Sequence, residues 1–160
     1  MHILGVDPGL ANCGWGVIAI SNSSLSAVAY GNIPTRAKDT IPVRLGTIFN
    51  ELRAVIERYR PVELGIETIY HKGNSKSALA TAQARGAVLT AASTSDLVVG
   101  EYAPTVIKKS VVGTGSATKE QVQYMVRVIL ALDHIPSPDH AADALAAAIC
   151  HAHWRSGKHE

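Results

Sequence analysis

The sequence predicts an α/β fold built on a five-stranded mixed sheet flanked by helices. Two patterns carry that expectation. Three short apolar runs with turn signals between them open the chain, which is the signature of antiparallel strands. After them, helical-period segments alternate with short apolar runs, the signature of parallel strands joined by crossover helices. At 160 residues the chain fits one domain.

Ile3–Asp7 is an apolar run that stops at Pro8-Gly9, and it reads as a buried strand. Trp15–Ser21 and Ala27–Pro34, parted by Asn22-Ser23-Ser24, read as a hairpin continuing from it. From Pro42 to Tyr59 the apolar residues Leu45, Ile48, Leu52, Val55, Ile56 and Tyr59 recur at steps of three or four, which predicts an amphipathic helix ended by Arg60-Pro61. Val62–Glu67 is the next strand. Asn74–Ser95 is helical, rich in alanine and apolar on most faces, so burial on more than one side is expected. Leu97–Tyr102 is a further strand, and Pro104–Lys109 a short helix. Thr118 and Gln121 have capping-box spacing and start a helix with Val122, Met125, Val126, Ile129 and Leu130 inward. Ser137-Pro138 reads as an N-cap followed by proline at the first helical position, opening a last helix to about His153. One domain over 1–154 with a flexible tail at 155–160 is therefore expected.

Composition narrows the class. Hydrophobic residues make up 47% and charged residues 18%, which is globular and not disordered. The net charge of +2 permits nucleic acid as a partner without arguing for it, so any such contact must come from local patches. Cys13 and Cys150 form no CxxC pair, and a reducing cytoplasm is the expected compartment. The N-terminal residues lack the pattern of a signal peptide, and no apolar run reaches membrane-spanning length, so no membrane partner is expected.

Asp7 ends the first strand and Glu67 the fourth. Alternate side chains of a strand share a face, so Asp7 follows Gly5 and Glu67 follows Gly65 on their faces, which is expected to leave room around both acids. If these strands are parallel neighbours, both carboxylates sit at the carboxyl edge, where open α/β sheets bind ligands. Two carboxylates held close repel unless a cation lies between them, and hard oxygen ligands suit Mg²⁺ or Mn²⁺. Taken singly, Asp7 is equally well a turn residue and Glu67 a strand-end charge. His140 and Asp143, spaced i and i+3, share one helix face inside a small, apolar helix. Asp139, in the first turn, fits a helix-dipole role. Cys150-His151-Ala152-His153 lacks zinc spacing, and Gly113-Thr114-Gly115 is not followed by the Gly-Lys pair of a phosphate loop.

Gly5-Val6-Asp7-Pro8-Gly9 with Gly14 and Gly16, Gly65-Ile66-Glu67, Gln83-Ala84-Arg85-Gly86, Val111-Val112-Gly113 with Gly115-Ser116-Ala117, and His140-Ala141-Ala142-Asp143-Ala144-Leu145 follow one another in order. Together they resemble the successive motifs of the RuvC-type Holliday junction resolvases, over the chain to about His153. The resemblance implies a ribonuclease H-like fold, a homodimer, and an endonuclease that cuts four-way junction DNA by paired nicks in recombination and repair. It implies an active site of Asp7, Glu67, His140 and Asp143 holding two Mg²⁺ ions, with Mn²⁺ able to substitute. Asp7 is expected to contact both ions, Glu67 one side, and His140 with Asp143 the other. Many relatives carry Asp where this chain has His140, and a histidine must be neutral to bind metal. The segment Thr68–Lys76 joins an aromatic residue to basic ones, which suits an unstacked DNA strand. The expected DNA contacts are Tyr70, Lys72, Lys76, Arg85, Lys108, Lys109 and Lys119. The resemblance also implies a branch-migration motor as partner, and the alanine-rich helix as a dimer interface rather than ordinary core. Three other readings stay open: a related ribonuclease H-like nuclease of the YqgF type, an actin-like nucleotide-binding protein, and a non-catalytic junction-binding module.

Overall fold

A computed structural model of the chain describes residues 1–22, 24–69 and 75–156. Five strands form one sheet: β1 (His2–Asp7), β2 (Asn12–Ser21), β3 (Ser24–Pro34), β4 (Glu63–Glu67) and β5 (Val98–Tyr102). The described helices are α1 (Ile41–Tyr59), α2 (Lys76–Ser93), α3 (Pro104–Val112), α4 (Lys119–Ile129) and α5 (Asp139–Ser156). The sheet order is β3-β2-β1-β4-β5. β2 runs antiparallel to β1 and β3, while β4 and β5 run parallel to β1. The expected mixed sheet is present, with the hairpin part beside the crossover part.

The alternation of β1 assigns its two faces. Leu4 and Val6 pack with Leu64, Ile66, Ile48, Leu52, Ala84 and Val88, so α1 and α2 cover that side. Ile3 joins Ile18, Val122, Val126, Leu145 and Ile149 on the other, under α3, α4 and α5. Asp7 lies in the same parity as Ile3 and Gly5, and so faces α5. The capping box of α4 is complete: Thr118 Oγ1 accepts from Gln121 N at 3.2 Å, and Gln121 Oε1 accepts from Thr118 N at 2.8 Å.

Four expectations need correcting. The space at Gly5 and Gly65 is not left open around the acids, because α5 fills it. A Cβ on Gly5 would overlap the Ala144 carbonyl, and one on Gly65 would lie 2.5 Å from the Ala147 carbonyl. Glycine on the strands and alanine on the helix let the two backbones approach, which brings the α5 side chains down to the sheet edge. Pro138 is not the first residue of α5. The Ser137–Pro138 peptide is cis, and the helix opens at Asp139. α2 buries one side only, through Ala84, Val88, Ala91 and Ala92; Leu79, Ala82, Gln83, Gly86, Thr90 and Ser93 form an exposed stripe. Finally, α5 continues past His153 to Ser156. Arg155, the first residue of the expected tail, bonds both oxygens of Glu63 at 3.0 Å.

Candidate active site

Asp7 is the last residue of β1 and Glu67 the last of β4, and the two are level in the register, one step past the Val6–Ile66 pair. Because the strands are parallel neighbours, both carboxylates emerge at the same carboxyl edge. α5 crosses this face with its N-terminal turns over β1 and β2. Gly14 sits beneath the His140 backbone, where a Cβ would overlap the carbonyl. That close approach carries His140 and Asp143 to Asp7. His140 Nδ1 lies 2.8 Å from Asp7 Oδ2. One ligand atom from each of Asp7, His140 and Asp143 falls within 4.8 Å of the others, so these three could share a metal ion. The donor set, two carboxylates and one imidazole, suits a hard to borderline divalent cation.

A cleft of about 270 Å³ opens beside the cluster, lined by Asp7, Glu67, Lys108, Lys119 and Asp143 over Pro104, Ile107, Val122 and Ala146. A second, of about 190 Å³, lies across Asp7 and Glu67, bounded by Pro8, Thr68, Ile69 and Thr81. The two acids thus stand between two recesses. Burial and the nearby charges of Asp7 and Asp143 push the Glu67 pKa up to about 7, against the pull of Lys108. Burial and Asp7 likewise raise that of Asp143, opposed by Lys119 and His140. Acids that resist ionisation because other acids face them form a site that a divalent cation would stabilise.

Residues 3–151 match the sequence profile of the Crossover junction endodeoxyribonuclease RuvC family. The chain belongs to this family. The RuvC of Heliobacterium modesticaldum is 51% identical over 153 residues, covering 96% of this chain and 94% of that one. The Thermus thermophilus RuvC structure matches with a TM-score of 0.90 at 34% identity, over 98% of this chain and 97% of that one. T. thermophilus RuvC in complex with Holliday junction substrate matches with a TM-score of 0.89 at 31% identity, over 98% and 96% of the two chains. The RuvC fold is ribonuclease H-like, and this chain shares it.

The four residues read from the sequence as the RuvC active site meet at one edge. The basic residues divide. Lys108 and Lys119 line the larger cleft, and Lys119 Nζ approaches Asp139 at 3.3 Å and Asp143 at 3.6 Å. Lys76 opens α2 and Lys109 lies in the last turn of α3; both are exposed and line neither cleft. Tyr70 and Lys72 lie outside the described residues. Arg85, expected at DNA, is turned inward with its side chain only 12% exposed. Its Nη1 donates to the Glu67 carbonyl at 2.6 Å and its Nη2 to the Glu101 carboxylate. The Arg85–Glu101 pair and the Asp139–Lys119 pair were not foreseen. No local spacing announces either one, since each joins separate elements.

Proposed function

We propose that this chain is a structure-selective endonuclease that resolves Holliday junctions by paired, symmetric nicks in recombination and repair. Asp7, Glu67, His140 and Asp143 are its catalytic and metal-binding residues. The observation that carries the reading is the meeting of Asp7, His140 and Asp143 within 4.8 Å, beside Glu67 and the two lysines of the cleft. Asp7, His140 and Asp143 would hold one divalent cation, and Asp7 with Glu67 a second; Mg²⁺ suits both places, and Mn²⁺ can substitute. Such ions supply an activated water and neutralise charge on the phosphate in flight.

The chain's own residues do the rest. Lys108 and Lys119 draw the backbone of one DNA strand into the cleft, since each offset phosphate charge is worth a counterion released. Pro104, Ile107 and Val122 form an apolar wall that restricts water beside the phosphate. In the reaction the oxygen of water bonds to phosphorus as the bond to the 3′ oxygen breaks; the water gives up a proton, and the leaving 3′ oxygen takes one up to become a hydroxyl. Tyr70, Lys72 and Lys76 would hold the strand beside the crossover, and Lys109 a flanking phosphate.

A homodimer gives this activity its symmetry, because a two-fold pair of sites matches a two-fold junction. The exposed stripe of α2 from Leu79 to Ser93 is the face proposed for it, since small side chains allow close approach. A branch-migration motor would deliver the junction, in the bacterial cytoplasm. No described helix is long and apolar enough to cross a membrane.

A synthetic four-way junction and a matched linear duplex, each with Mg²⁺, Mn²⁺ or chelator, test the proposal beside an Asp7→Asn control. Symmetric nicks in the junction alone, dependent on metal and on Asp7, are expected. Binding without nicking in any metal would leave a junction-binding module, and cutting of single-stranded RNA instead would point to the YqgF-type branch.

A further inference from the structure

We propose that Arg85 is a positioning residue that fixes Glu67 for metal binding, with Glu101 as its counter-anchor. The inference rests on the reading of Glu67 as a metal ligand. Glu67 is the last residue of β4. The β1–β4 ladder stops at the Val6–Ile66 pair, so Glu67 has no ladder partner on the β1 side. On the other side it pairs with Tyr102, and the next amide, Thr68 N, donates to the Tyr102 carbonyl at 2.8 Å. The load on this end is electrostatic, because Asp7 and Asp143 both repel the Glu67 carboxylate. A ligand held on one edge only, and pushed by its neighbours, needs a second support.

Arg85 supplies it from α2. One arm of the guanidinium donates to the carbonyl of Glu67 itself, and the other to Glu101 on β5. The planar fork makes both bonds from one rigid group, which a lysine ammonium on a flexible stem cannot reproduce. Glu101 neutralises the charge and sets the plane of the fork, and its residue neighbour Tyr102 is the strand partner of Glu67. Arg85 therefore holds the ligand's backbone from outside the cleft, as a second layer behind a metal site orients the first. The side chain is too covered to serve as an open cation for DNA.

The test uses the full chain as wild type, Arg85→Lys and Glu101→Gln. Mn²⁺ binding is titrated by calorimetry, junction affinity is measured in chelator, and folding is checked by circular dichroism and Tm. Arg85→Lys is expected to weaken Mn²⁺ binding by about 10-fold or more, with junction affinity in chelator unchanged and Glu101→Gln showing a smaller loss in the same direction. Wild-type Mn²⁺ affinity in both folded variants would overturn the proposal, even if Tm falls. Loss of junction affinity with Mn²⁺ binding intact would also overturn it, in favour of a DNA contact. If Arg85→Lys does not fold, Glu101→Gln decides alone: weaker Mn²⁺ binding supports the anchor, and unchanged binding sinks it. Wild type that binds Mn²⁺ but nicks no junction would refute the nuclease reading while leaving this one to stand or fall on the titration.

Discussion

The imidazole of His140 bonds the carboxylate of Asp7 at 2.8 Å, joining residues 133 positions apart in the chain. An ionised carboxylate can only accept, so in that state the shared proton sits on Nδ1. A cation bound between those two atoms must displace that proton. Metal binding should therefore release protons, seen as a calorimetric enthalpy that varies with the ionisation enthalpy of the buffer.

Substitutions at the pair follow from the same contact. Asp7→Asn and His140→Ala should each lower junction nicking by about 100-fold or more, with junction binding in chelator retained. His140→Asp replaces the borderline imidazole with a hard carboxylate, which suits Mg²⁺, and should keep most of the activity. Single-turnover cleavage of a labelled junction checks all three. Full activity in Asp7→Asn would remove the acidic cluster from the reaction.

Glu67 predicts a pH dependence. Its folded-state pKa of about 7 lies above the ordinary 4.5. Protonation therefore favours the folded chain. The stability this group contributes is fully present below about pH 4.5 and is lost as pH rises through about 7. Without metal, Tm should fall across that window more steeply in the wild type than in Glu67→Gln. Metal affinity should move the opposite way, rising from pH 6 to 8 as the proton leaves. Parallel Tm profiles for the two proteins would refute this role of Glu67.

Glycine substitutions separate packing from surface. Gly5→Ala places a methyl against the Ala144 carbonyl, and backbone cannot give way cheaply. A loss of about 3 kcal/mol is expected by urea denaturation, at the upper end for overpacking. Gly86 lies in α2 with nothing within 4 Å of a built Cβ. Gly86→Ala should raise the stability of the helix by about 0.5–1 kcal/mol. A bulky Gly86→Arg should leave the fold intact while lowering the dimer fraction in analytical ultracentrifugation.

The far end of α5 offers a stability test away from the site. His151 bridges Glu63 at 2.7 Å and Tyr102 at 2.7 Å, and Glu63 also accepts from Arg155. His151, at the centre of this network, is only 6% exposed, while Arg155 at its rim is partly open to solvent. His151→Ala leaves the Tyr102 phenol without this partner and the Glu63 carboxylate with Arg155 alone, and should cost about 2 kcal/mol. Removal of residues 155–160 should lower Tm as well. An unchanged Tm on truncation would restore the flexible tail to Arg155.

Much of this protein was set locally. The apolar run Ile3–Asp7 with its Pro8-Gly9 stop, the three-and-four steps of Leu45–Tyr59 and the Thr118–Gln121 cap each act within one element, so strands, helices and their order were legible from sequence. Asp7 and Glu67 were legible too, because parallel strands of one sheet deliver their ends to one edge. The tertiary structure decided what depends on distances between elements. The glycines under α5 proved to be a track for its backbone and not open space, since their role is set by Ala144 and Ala147 on a helix far along the chain. The same approach brings His140 to Asp7. Arg85 looked like a cation for DNA, and only the packing of α2 against β4 and β5 turned it toward Glu67 and Glu101. Periodicity records which face of an element is apolar; it does not record which neighbour's carbonyl or carboxylate will meet a buried charge there.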